Sequence, residues 1–285
     1  VTSDRDDALG AVARGSLVAV LGVLVLGCPP AIDEGGHGDA SLDTPPPVYV
    51  PVADETLDRF VDVLALIASV DWAFGERLDE HSRLFLPTAA DRRLVIEGGL
   101  ASTHLVDDPR CASATWEGER ATVVLDSCLL GISGRRARGA LRLEVSEDEV
   151  SIALEGLVVR DTTLDGTITL RALEGPSMGT RGLWGSVQYP DVEGTTTLTF
   201  TGSASFVSFT PLHEDGVTPV LQGSWSGASG TSDFFVQASF VPGDCLPSDG
   251  YALFSGAPFA SETRLAFGLS TPDDHRWGRN TLSCE

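Results

Sequence analysis

After residue 90 apolar side chains return at every second position, and that period restricts the fold more than any other feature of the chain. Leu141, Leu143 and Val145 alternate with Arg142 and Glu144. Val150, Ile152 and Leu154 repeat the pattern, as do Ile168 and Leu170, Leu198 and Phe200, then Phe234, Val236, Ala238 and Phe240, and finally Leu265, Phe267 and Leu269. A period of two sends successive side chains to opposite faces of a strand, so each segment has one apolar and one polar face. That is the pattern of an antiparallel sheet with one side in water.

The strands also recur. Gly139-Ala-Leu-Arg-Leu143 is echoed by Gly166-Thr-Ile-Thr-Leu170 and Gly194-Thr-Thr-Thr-Leu198, and more weakly from Gly223, Gly250 and Gly278, at intervals of 27, 28, 29, 27 and 28 residues. A unit of about 28 residues fits two strands of ordinary length and two turns, a hairpin. Five or six such units make roughly ten to twelve strands, too wide for an open flat sheet. The expected fold is mainly β: a large antiparallel sheet closed or curled into a barrel, half-barrel or sandwich, built on the hairpin repeat.

A helical segment, residues 54–90, precedes this β domain, residues 91–285. Over 54–69, Leu57, Phe60, Val61, Leu64 and Ile67 recur at helical spacing behind Asp54, a residue suited to the N-cap. Trp72, Phe74, Leu78, Leu84 and Phe85 extend the apolar character as a second short helix, with Pro87 as its stop. The helix is expected to cover an open mouth or one face of the sheet. Asp54, Asp58 and Asp62 fall on one face of it, a row that suggests either a metal site or, more simply, a solvated face near the positive end of the helix.

Charge excludes several functions. Forty-one acidic residues face 19 basic ones, a net charge of −22, and such a field repels phosphate backbones, so no nucleic-acid partner is expected. Every basic residue is arginine, which removes Schiff-base, Walker-lysine and Ser-x-x-Lys chemistry.

At the N-terminal side, Ser16 to Gly27 is an uncharged apolar run of 12 residues behind Arg14, with Cys28 after it and Pro29-Pro30 ending any helix. It is shorter than the roughly 20 residues of a membrane span and has the layout of a secretory signal. Val25-Leu26-Gly27-Cys28 resembles the lipobox of bacterial lipoproteins, with Leu26 bulkier than the small residue usual there. Asp4, Asp6 and Asp7 are foreign to such a signal, and a start at Val12 would remove them. The resemblance covers residues 1–28 alone. It implies that Cys28 carries a diacylglycerol and an acyl (palmitate-type) chain, and that the protein is exported to a bacterial cell envelope, at the outer membrane or cell surface rather than the inner membrane. Residues 29–53, rich in Pro, Gly and Asp, read as a disordered tether. The acidic chain would be repelled by anionic headgroups, so lipid rather than charge would hold it at the membrane.

Five cysteines are an odd number for an exported protein. With Cys28 lipidated, Cys111, Cys128, Cys245 and Cys284 remain for two disulfides, and proximity favours 111 with 128 and 245 with 284. Cys-x-x-Cys spacing is absent, so no zinc site is expected.

No constellation names a reaction. Gly175-Pro-Ser177-Met-Gly179 matches the Gly-x-Ser-x-Gly string of hydrolases, but poor helix formers follow it, and a turn is the simpler reading. His37, His81, His104, His213 and His275 lack metal-ligand spacing. Trp116, Trp184, Trp225 and Trp277 fall in the β region, where they form either core or a platform for a sugar or a partner. The expectation is a membrane-anchored envelope lipoprotein without cofactor, metal or catalytic residues, acting as a binding or structural module for a protein, glycan or lipid. The alternatives are a periplasmic carrier of an apolar ligand in the curled sheet, and a serine hydrolase using Ser177.

Overall fold

Sheet and helix are laid out in a computed structural model that describes residues 54–75, 78, 89–146, 149–172, 180–191, 194–207, 216–242, 247–256 and 263–268. The strands are β1 (Ala112–Glu117), β2 (Arg120–Leu129), β3 (Arg136–Val145), β4 (Glu149–Val159), β5 (Thr162–Ala172), β6 (Thr180–Asp191), β7 (Gly194–Val207), β8 (Gly216–Gly227), β9 (Gly230–Ser239), β10 (Asp249–Gly256) and β11 (Thr263–Gly268). Among the described residues these eleven strands form one sheet in chain order, each antiparallel to the next, and β1 and β11 end the order without pairing to each other. The sheet is therefore an open meander.

Alternation sorts the two faces as the period of two requires. Leu141, Leu143, Val145, Val150, Ile152, Ile168, Leu170, Leu198, Val236, Ala238 and Leu265 are all buried on the inner face. Gly139, Gly166 and Gly194 fall on β3, β5 and β7, every second strand; the next step, to Gly223, crosses only from β7 to β8 because β7 is 14 residues long. Gly250 opens β10 next to Asp249, and Gly278 lies outside the described residues.

Against the inner face lies α1 (Asp54–Val70). The spacing of Leu57, Phe60, Val61, Leu64 and Ile67 predicts one apolar stripe, yet Val63, Leu66 and Val70 on the other sides are also fully buried. A helix that is apolar all round is surrounded by protein, and the contacts show by what. The Phe60 ring meets Phe234 of β9 and Phe254 of β10 edge-on, with centroids 5.6 and 5.1 Å apart. Arg59 Nη1 donates to the Pro190 carbonyl at the end of β6, 2.6 Å away, and Asp62 pairs with Arg135, just ahead of β3. The helix thus covers one face of the sheet, the second of the two expected positions.

Glycine lets neighbouring strands approach closely along one row. One inner-face row reads Gly185, Phe200, Gly223, Phe234, Phe254 across β6 to β10. At Gly223 a Cβ would lie 1.9 Å from the Thr199 carbonyl oxygen, and at Gly185 it would lie 2.3 Å from that of Thr167. Adjacent backbones come that close only without a side chain, while the phenylalanine rings beside them refill the space.

Beyond Val70 the helix widens into one π-helical turn, Asp71–Gly75, with all five residues buried; Leu84, Phe85 and Pro87 of the expected second short helix lie outside the described residues. The next helix, α2 (Ala89–Ala101), runs past the expected boundary at residue 90, and the strands begin only at Ala112. Its Gly98-Gly99 pair weakens the helical signal in sequence, but Gly99 makes room for the Phe74 ring, which would stand 2.4 Å from a Cβ there. Cys111 and Cys128 form a disulfide, stapling the approach to β1 onto β2 at a bulge between Leu125 and Cys128.

Candidate functional site

Two polar systems stand out, one buried against α1 and one on the outer face of the sheet. In the first, Asp71 and Arg181 are both wholly buried and joined in a fork, with Nε donating to Oδ1 at 2.7 Å and Nη2 to Oδ2 at 2.6 Å. Asp62, 1% exposed, pairs with Arg135 and accepts a 2.8 Å hydrogen bond from Thr162 Oγ1, while Arg160 stands 3.9 Å away and also 3.8 Å from Asp58. Burial raises the Asp62 carboxyl above its ordinary value, against the opposing pull of Arg135, the Thr162 hydroxyl and Arg160. Burial likewise pulls the Arg135 guanidinium down, against its attraction to Asp62. At Asp58 and Asp62 the expected solvated face is not found: both carboxylates meet arginines that lie far along the chain. Among the described residues no group of three His, Cys, Asp or Glu side chains is arranged to hold a metal ion.

These ion pairs lie along the helix, not around a cleft. At the other end of α1, Asp191 accepts hydrogen bonds from Thr56 and Arg59, each 3.3 Å long, so β6 is bonded to the helix through residues near both its ends. The arrangement ties α1 to the sheet. Tyr189 and Trp225 complete the interior: the indole N–H donates to the phenol oxygen at 2.8 Å, and burial raises the Tyr189 pKa.

The outer face divides by chemistry. On β2 to β5 it is charged and internally paired: Arg120 with Glu144 at 2.9 Å, Arg142 with Glu155 at 3.1 Å, and Arg171 with Glu149 at 2.8 Å. From β6 to β10 the outward positions are Trp184, Ser186 and Gln188, then a run of Thr and Ser on β7, then Gln222, Ser224 and Ser226, then Thr231, Asp233 and Phe235, and last Tyr251, Leu253 and Ser255. Two charges, Asp233 in the middle of β9 and Asp249 at the start of β10, interrupt them. A groove of about 800 Å³ crosses β7 to β10 here, and Thr199, Thr201, Gln222, Asp233 and Ser255 are exposed along it beside half-buried Phe235 and Leu253. That volume lies within the range of about 300–1,000 Å³ usual for small-molecule sites.

The tryptophans do not gather into one platform. Trp116 on β1 lies under Arg93 at 4.4 Å, Trp184 on β6 lies under Arg171 at 5.2 Å, and Trp225 is core. His104 stacks on Trp72 with centroids 4.4 Å apart. Cys28, Ser177, Cys245, Cys284, Trp277 and the other four histidines lie outside the described residues. Sequence reasoning missed both the ion pairs and the groove. The signal for the groove was present in the Thr, Ser and Gln that occupy the polar positions of β7 to β9.

No protein-family model matches the chain, and no curated protein or solved structure matches it.

Proposed function

We propose that the protein is a non-catalytic binding or structural module, held at a bacterial envelope membrane by lipid on Cys28 and lifted off it by the 29–53 tether. We read the curled sheet as a half-barrel of hairpins whose interior belongs to α1. The observation that carries the reading is the occupation of the concave face: the inward side chains that would line a carrier's cavity pack against α1, and two buried ion pairs bond that helix to the sheet. Binding is thereby directed to the outer surface, where the groove lies. A second disulfide, Cys245 with Cys284, belongs to the same proposal.

Native mass spectrometry of the protein from its host's membranes, beside a Cys28→Ser form, tests it. The wild type alone should carry a diacylglycerol-sized mass, and the Cys28→Ser chain should be bare and lack the four hydrogens of two disulfides. Absence of the lipid on the wild type overturns the anchoring. A non-covalent lipid-sized mass on the Cys28→Ser form overturns the surface-module reading in favour of a carrier.

A further inference from the structure

We infer that the groove across β7 to β10 binds an uncharged oligosaccharide. This rests on the reading of the chain as a surface-binding module and names the chemistry of what that module holds.

Segregation of charge is the first ground. The chain has 60 charged residues among 285, counting 41 acidic and 19 basic, yet the outward positions of β6 to β10 described above carry only Asp233 and, at the far start of β10, Asp249. On β2 to β5 the same face of the same sheet is filled with cross-strand ion pairs. A solvated sheet face with no task carries charges of both signs for solubility, as that half does. The neutral half departs from this.

The free valences of the groove are the second ground. Thr199, Thr201, Gln222 and Ser255 offer hydroxyl and amide groups that both donate and accept, and Asp233 accepts. None of these side chains bonds another described residue, whereas Trp225, Arg181 and Thr162 in the interior each donate to a side-chain partner. A sugar hydroxyl also donates and accepts, so it pairs with Thr, Gln or Asp without having to match a fixed charge. A phosphate or carboxylate would meet only Asp233 and a net field of −22, both repulsive.

The apolar component is the third. Phe235 is half-buried with its ring 5.8 Å from Tyr251, and Leu253 lies beside it on β10. The C–H face of a pyranose packs on such a surface while its rim of hydroxyls reaches the polar neighbours. One outer row runs Trp184, Thr201, Gln222, Phe235, Leu253 from β6 to β10. Within the groove its stretch from Thr201 to Leu253 covers three strand spacings, about 14 Å, which suits a short oligosaccharide rather than a single sugar.

The test uses the full chain as its Cys28→Ser form on an array of uncharged oligosaccharides (β-1,4- and β-1,3-glucan, chitin, mannan), set against polygalacturonate and sialylated chains. Calorimetry follows on whatever binds. An uncharged oligomer should bind with no response from the anionic chains, and Phe235→Ala should weaken it at least about tenfold, the effect of removing an aromatic anchor. Gln222→Ala and Thr201→Ala, both exposed and without structural bonds, should each weaken it several-fold, which keeps the test valid if Phe235→Ala does not fold. Arg142→Ala, on the charged half, should change nothing. A silent array, a preference for anionic chains, or affinity unchanged in all three groove variants overturns the inference. Diacylglycerol on wild-type Cys28 together with a silent array would remove the sugar and leave the surface module; its absence would remove the membrane reading whatever the array shows. Capture of a protein ligand on the groove face, with the array silent, would replace the sugar with a protein partner.

Discussion

Removing one partner of the Asp71–Arg181 pair tests whether α1 is held by charge as well as by packing. Both side chains are fully buried, and two charge-assisted hydrogen bonds of 2.7 and 2.6 Å join them. Arg181→Met keeps most of the aliphatic stem and leaves the Asp71 carboxylate without its fork partner. Breaking a buried pair in this way costs about 3–5 kcal/mol, mostly the penalty for a charge that neither water nor a partner satisfies. For a domain of this size each kcal/mol lowers Tm by roughly 2–4 °C, so the variant should melt about 6–20 °C below wild type. Asp71→Leu combined with Arg181→Met removes both charges and fills the site with apolar atoms. If the penalty is desolvation, the double variant should be more stable than the single one, with a coupling of about 2 kcal/mol or more in a double-mutant cycle. Urea titration with fluorescence and far-UV circular dichroism supplies the free energies. A cost under about 1 kcal/mol for Arg181→Met would refute the argument, because an exposed pair behaves that way. A double variant as unstable as the sum of the singles would refute it too.

Asp62 should impose a pH dependence of defined sign. Burial holds its folded pKa above the unfolded 3.8, so its protonated form favours the fold, and the contribution is complete below about pH 4 and lost as pH rises through the folded value. The stability gap between wild type and Asp62→Asn should therefore be widest near pH 4 and narrow toward neutrality; a gap that widens with pH in urea titrations would reverse the assignment. Gly223→Ala should cost at least about 3 kcal/mol, the upper end of overpacking, because its Cβ would lie 1.9 Å from a backbone oxygen. Gly118→Ala, in an open turn at φ +67°, should cost only about 1 kcal/mol, and equal losses in thermal melts would remove close strand approach as the cause. Replacing Cys111 and Cys128 by alanine opens a loop of 17 residues and should cost about 3 kcal/mol by urea titration, with no loss of strand content by circular dichroism.

The strands were legible because their pattern is local. Leu141, Val150, Ile168 and Phe234 each declare an inner face within a few residues of sequence, and short hairpin connections make chain order the natural sheet order. The central helix was legible as a helix but not as a surrounded one. Its five evenly spaced residues hide that Val63 and Leu66 are apolar too, and only the packing around the helix decides which sides are covered. The partners of Asp62 and Asp71 lie 73 and 110 residues away, beyond any spacing rule. Helix α2 was lost because Gly98-Gly99 counts against a helix locally, whereas the Phe74 ring that needs Gly99 belongs to another element. Of the groove, the residue types were visible and the juxtaposition was not. Phe235 and Gln222 are neighbours only through the register of β8 against β9.

The position of α1 also sets the order of events while the chain is being made. Residues 54–75 are synthesised first, but the groups that hold them come much later: Arg181 follows Asp71 by 110 residues and Asp191 follows Thr56 by 135. Until β6 exists, a helix whose residues from Phe60 to Val70 are all destined for burial has no complete surface to cover it. Non-local closure of this kind is slow and leaves sticky intermediates, so the nascent chain should be a client for holding chaperones up to the completion of β6. Truncations ending before residue 180 should aggregate, while those ending after β10 should begin to fold.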